Sequence, residues 1–146
     1  MRAIALLLLL LASPVYAQEP TPLKLPIDAR PVAARISDYT LVAAATIRVR
    51  DAWHDADRTG AFIELGCEAG LTMGVIEVLK RVIHRTRPDG SDDHSMPSGH
   101  TGMAGVLGGW PLAAPVSVMR QMAWKHYLTD TIVGFGVAFL STKVCR

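Results

Sequence analysis

Apolar and polar positions alternate along the chain in long blocks, and the blocks read as helices. Ala3 to Ala12 is an unbroken apolar run. Gln18 to Arg35 has no such run and holds four prolines, at 20, 22, 26 and 31, which predicts an extended, exposed lead-in. From Ser37 or Asp38, a candidate cap, a moderately apolar segment reaches about Trp53 and reads as a helix, although TLVAAATIRV also suits a strand. The polar stretch HDADRTG interrupts it. Thr59 is then expected to cap a longer helix from Gly60 to about His84. RPDGSDDHSMP carries the residues of a loop, and Ser98 is placed to cap the next helix. Thr101 to Met119 is uncharged but contains four glycines, Pro111 and Pro115, so a break is expected near Gly108. A last helix is expected from the low 120s to about Thr142. The pattern predicts an all-α, compact helical bundle.

The second helix carries Gly66, Gly70 and Gly74, four residues apart, a spacing that lets another helix approach closely. Glu64, Glu68 and Glu77 lie on the same helix and are costly in lipid, so packing inside a protein bundle is expected.

Composition bounds the picture. The 146 residues are half hydrophobic, 19% charged and carry a net charge of +2. That is one domain, too apolar for a disordered chain and too weakly charged for a nucleic-acid binder. Six membrane spans would consume nearly the whole length. Arg2, the apolar run and the small residues Val15 and Ala17 form the layout of a secretory signal peptide over residues 1–17, with cleavage after Ala17. The parts are then a signal peptide, the lead-in at 18–35 and a helical domain at 36–146. Without Arg2, 14 Lys and Arg oppose 13 Asp and Glu, so net charge says little about partners. Export makes a Cys67–Cys145 disulfide chemically possible. The reading favoured instead is a small buried helix residue at Cys67 and a terminal thiol at Cys145.

Three clusters carry candidate chemistry. Lys80, Arg81, Arg85 and Arg87 crowd one helix end, which suits a helix C-terminus or an anion site. Pro97-Ser98-Gly99-His100 puts free N–H groups, a glycine and a proton donor at a helix start, a design that binds phosphate. Arg120 precedes His126 and Asp130, whose i to i+4 spacing puts both on one helical face, the carboxylate orienting the imidazole. His54, Asp55, Asp57, Asp92, Asp93 and His94 show no metal-ligand spacing and are expected on loop surface.

Together these residues spell K-x6-RP, PSGH and R-x5-H-x3-D, ten fixed positions in order. The chain thereby resembles the type 2 phosphatidic acid phosphatase family, which also includes the vanadium haloperoxidases and bacterial acid phosphatases. The resemblance covers about 37–136, with its weight on Lys80 to Asp130. It implies a reduced form of that helical core and a phosphomonoester hydrolase working through a phosphohistidine. Lys80, Arg87, Ser98, Gly99 and Arg120 would hold phosphoryl oxygens, and His126 would be the nucleophile. Asp130 would orient His126. His100 would protonate the leaving alkoxide and then activate water.

The resemblance implies no metal and no other cofactor. The expected partner is a phosphorylated small molecule or a lipid phosphate, with no nucleic acid and with membrane association open. The expected location is the bacterial periplasm, or the inner membrane with the site facing the periplasm. A vanadate-dependent peroxidase and a membrane-associated anion-binding remnant are the alternatives.

Two features depart from the family pattern. Its third motif usually begins Ser-Arg, and here the pair is Met119-Arg120. The family usually places a helix out and a helix back between His100 and Arg120. Here only the 19 residues Thr101 to Met119 are available, about 28 Å in total as helix. This predicts either a short hairpin of broken helices or a trimmed domain.

Overall fold

A computed structural model describes residues 26–146; the apolar run, the proposed cleavage site and most of the lead-in lie outside the described residues. A 3-10 turn at Ile27–Ala29 leads into four helices: α1 (Arg30–His54), α2 (Arg58–Ile83), α3 (Gly99–Met122) and α4 (Leu128–Cys145). Among the described residues there is no strand, only an isolated bridge between Arg85 and His94. The all-α bundle is as expected.

Several boundaries are corrected. The proline-rich lead-in is helical from Arg30, not extended to Arg35, because Pro31 falls in the first turn, where a helix needs no N–H. The polar break shrinks to three residues, since His54 still belongs to α1. Asp57, not Thr59, caps α2, its carboxylate accepting from the Gly60 N–H at 3.0 Å. The last helix starts at Leu128, because Met122 still belongs to α3 and the link between them is a tight turn with Trp124 at φ 57°.

The glycine face of α2 does not pack. A methyl group at Gly66, Gly70 or Gly74 would meet open space. The helix instead turns Glu68, Thr72 and Ile76 inward. Ile76, Met96, Val133 and Val137 form one core cluster, with Leu79 and Ile83 against it. The close approaches occur on α3 and α4. A Cβ on Gly102 would strike Ile76 Cδ1 and lie 3.2 Å from the Gly134 carbonyl oxygen, and one on Gly134 would be driven into the Ser98 carbonyl.

α3 is a helical hairpin. Gly109 breaks it with φ 62° and ψ −153°, a conformation costly for any residue with a side chain. The break falls one residue beyond the expected position. The first arm runs alongside α4: Gly102 meets Gly134 and Gly105 meets Ala138. The second arm runs back along it, Trp110 contacting Phe135 and the Ser117 hydroxyl donating to Thr131 Oγ1 at 2.7 Å. Each arm is roughly 15 to 20 Å long. Ala104, Ala113 and Val116 fill the space between them, with Leu41 of α1 against the cluster.

Cys67 and Cys145 are joined in a disulfide, with Cα atoms 5.9 Å apart. The expected pair of free thiols is therefore corrected, as is the burial of Cys67, which is exposed. The bond follows from α2 and α4 lying antiparallel, a neighbourhood that sequence spacing does not reveal. The cluster around Ile76 and Val133 is one level of this contact and the disulfide another.

Two expectations follow. Gly134→Ala should lower the unfolding free energy by about 1–3 kcal/mol through overpacking, whereas Gly70→Ala should leave it unchanged or raise it by up to about 1 kcal/mol. Denaturant melts of the two variants test which glycines pack. Replacing both cysteines by serine should cost on the order of 4 kcal/mol, because the bond closes a separation of 78 residues; thermal melts with and without reductant check it.

Candidate functional site

All eight residues singled out from the sequence come to one end of the bundle, each delivered by a helix end or a loop. Lys80 lies in the last turn of α2, where its ammonium group sits 3.9 Å from where a Gly99 side chain would begin. Ser98 caps α3, its hydroxyl accepting from Thr101 N at 3.4 Å and from Thr101 Oγ1 at 3.2 Å. Ser98 is fully buried, and its own N–H donates to the Asp130 carbonyl at 2.8 Å. Gly99 and His100 follow as the first residues of α3. The second arm of the hairpin returns Arg120 to this level. The Asp38 carboxylate accepts from both His100 Nε2, at 2.7 Å, and Arg120 NH1, at 3.4 Å.

His126 sits in the turn before α4, not on the helix, so the expected shared helical face with Asp130 is corrected. Tyr127 is the N-cap and Asp130 the third helical residue, its carboxylate accepting from Tyr127 N at 2.8 Å. The cap starts the helix between the two side chains. His126 Nδ1 lies 2.6 Å from the Ser95 carbonyl oxygen and 3.8 Å from Asp130 Oδ2. A carbonyl only accepts, so Nδ1 carries the hydrogen and Nε2 keeps its lone pair. Ser95, not Asp130, therefore sets the tautomer. Nε2 is 3.4 Å from Arg87 NH1, and that guanidinium is held by Asp92 at 2.6 Å and by the Lys125 carbonyl at 3.2 Å.

Asp130 acts one step removed from His126. It is fully buried and accepts from Arg85 NH1 at 2.8 Å, from the Ser95 hydroxyl at 2.5 Å and from Tyr127 N. Arg85 also donates to Thr129 at 2.7 Å and lies over the Tyr127 ring. Arg85, Asp38, Ser95 and Asp92 carry the site beside the expected residues. Arg85 stood in the basic cluster, where spacing alone gives it no role. Asp38 lies far from the motif stretch, and Asp92, expected on loop surface, is the partner of Arg87.

The electrostatics suit an anion. Three of the expected cations, Lys80, Arg87 and Arg120, converge with two histidines. Arg120 Nε is buried with no protein acceptor among the described residues. Burial pushes the His126 imidazole down to about 4, helped by the charges of Arg120 and Arg87, while Asp130 pulls the other way. Above that pH the ring is neutral. Among the described residues, no group of three or more His, Cys, Asp or Glu is arranged to hold a metal ion.

Comparison of the chain with models of known families, with curated proteins and with solved structures gave no match.

The buried neutral histidine gives a stability prediction. His126 takes a proton at about 4 when folded and at its ordinary 6.5 when unfolded. Between those values the unfolded chain binds more protons, so stability falls as pH drops from 6.5 towards 4, by on the order of 3 kcal/mol in all. His126→Gln should lose less stability than the native chain between pH 7 and pH 4.5, and thermal melts at both values read the difference.

Proposed function

We propose that the chain is a metal-independent phosphoester hydrolase of the phosphatidic acid phosphatase type 2 kind, acting through a phosphohistidine on His126. The observation that carries this reading is the His126 ring, neutral and buried, with Nδ1–H spent on a backbone carbonyl and Nε2 presented to Arg87. A nucleophile needs a lone pair, and phosphoryl transfer needs positioning and charge stabilisation around it.

Substrate phosphate enters among Lys80, Arg87 and Arg120, which neutralise its oxygens. Gly99 and the start of α3 lend the positive end of a helix. His126 Nε2 attacks phosphorus as the bond to the leaving oxygen breaks, and His100 gives that oxygen a proton. Water then attacks the phosphohistidine, with His100 taking the proton back. Asp130 holds Ser95 and the start of α4, so it acts by fixing the atoms around His126.

The substrate is a phosphorylated small molecule or a lipid phosphate. Two helices, Gly99–Met122 and Leu128–Cys145, are long and apolar enough to cross a membrane, although the first folds back on itself at Gly109. Val42, Ile47, Val78, Trp110, Ile132 and Phe139 are exposed and apolar, spread over all four helices, which suits contact with lipid. The disulfide fits an oxidising compartment, and with the leader-like first residues it supports action outside the cytoplasm.

The protein should hydrolyse p-nitrophenyl phosphate without added metal, and His126→Ala should reduce the rate by at least about a thousandfold. Retained activity in that variant sinks the nucleophile assignment. Because His126 stays neutral down to about 4, the acid limb of kcat/KM should lie near that value. A limb at the ordinary 6.5 would show a solvated ring instead.

A further inference from the structure

Asp38 of α1 belongs to none of the three motifs, yet its carboxylate reaches across to the start of α3 and the end of the returning arm. Asp38 Oδ1 is 2.7 Å from His100 Nε2 and 3.4 Å from Arg120 NH1. A carboxylate only accepts when ionised, so His100 Nε2 carries a hydrogen and Nδ1 is the nitrogen left to exchange one. The arrangement mirrors that of His126, where Nδ1 is the tied nitrogen and Nε2 the one that keeps its lone pair. We propose that Asp38 is the positioning residue of His100, fixing the ring so that Nδ1 is the atom that gives a proton to the leaving group and takes one from water. This rests on the phosphatase reading for its chemistry and on the Asp38–His100 contact for its geometry.

The step balances. As the His126 Nε2–P bond forms and the bond from phosphorus to the leaving oxygen breaks, the His100 Nδ1 proton goes to that oxygen. As water oxygen bonds to phosphorus and Nε2–P breaks, a water proton returns to Nδ1. Through both halves the Nε2 proton stays on the Asp38 side. The charged groups facing the ring are Asp38 from α1, Lys80 from α2 and Arg120 from α3. Burial first, and then the two cations, oppose the protonated ring, and Asp38 is the group that favours it. Without Asp38, His100 would hold its proton less tightly and its ring would be free to turn.

Asp38→Asn and Asp38→Glu test this in the full chain. With p-nitrophenyl phosphate, Asp38→Asn should lower kcat by about tenfold to a hundredfold with little change in KM. It should move the basic limb of the pH profile, where His100 must still hold its proton, to lower pH. Asp38→Glu should recover a large part of kcat. In parallel, NMR titration of the His100 ring should show the Nε2–H tautomer in the native chain, its loss in Asp38→Ala, which has no acceptor, and a midpoint shifted to lower pH in both Asp38→Ala and Asp38→Asn.

An unchanged limb and tautomer overturn the proposal. So does a variant with raised KM and unaltered kcat, which would place the carboxylate's effect on phosphate binding through Arg120. So does tighter inhibition by orthovanadate, which would make Asp38 a competitor for the anion site. A native chain that hydrolyses no phosphoester overturns the functional reading instead, and the ring titration then decides the Asp38–His100 assignment alone.

Discussion

The Asp130 carboxylate is the interaction on which the site end of the molecule depends. A fully buried charge is expensive unless donors surround it. Here Arg85, Ser95 and the Tyr127 N–H supply them, each from a different part of the chain. Arg85 lies near the start of the long loop after α2, Ser95 near its end, and Tyr127 caps α4. The Asp130 backbone carbonyl adds a fourth tie, accepting from the N–H of Ser98. One residue thus sets the loop against the starts of both α3 and α4. His126 and the helix that presents Gly99 and His100 are placed as a consequence. Removing the carboxylate would leave Arg85 and Ser95 without that acceptor in a dry environment, the costlier way to break such a network.

The hairpin in α3 answers the shortage of chain between the second and third motifs. An interval this short can bring Arg120 back to His100 only by reversing near its middle, and only if its arms lie close. Gly109 permits the reversal. Gly102, Gly105 and Gly134 permit the close packing, with backbone and small side chains where larger ones would clash. The returned arm meets α1 at Ser37 and Asp38, so α1 is the wall that receives Arg120. Shortness is therefore resolved locally, by glycine and kink, and the cation still arrives at the site.

The sequence made the helix pattern, the loop at 84–98 and the α3 break legible, because hydrophobic blocks and Gly/Pro punctuation are local signals. It also made the eight site residues legible as a group, because their order and spacing are specific. What it concealed depends on tertiary neighbours. Gly66, Gly70 and Gly74 have the spacing of a packing face, but periodicity does not say which face meets a partner, and α2 buries Glu68, Thr72 and Ile76. The i to i+4 rule put His126 and Asp130 on one helix, but the Tyr127 cap starts the helix after His126. Asp38, Ser95 and Asp92 are ordinary in sequence and acquire their roles only where separate segments meet. Prolines at 26 and 31 suggest extended chain, but Pro31 suits a helix start equally well.

The two ends of the bundle are held by different chemistry, and the difference bears on the site. At the far end the Cys67–Cys145 bond joins α2 to the end of α4, and beside it Arg146 donates to Glu64 at 2.8 Å and to the buried Glu68 at 3.0 Å. This fastens α4 covalently where no candidate catalytic residue lies. At the near end the same helix is held by the packing of Val133 and Gly134 and, through Asp130, by hydrogen bonds and an ion pair. A helix pinned at one end has less freedom to slide or tilt at the other, so the far clamp lowers the entropy that the near-end network must overcome. With the covalent bond carrying part of the work of keeping α4 in register with α2, the near-end donors and charges can be arranged around the two histidines.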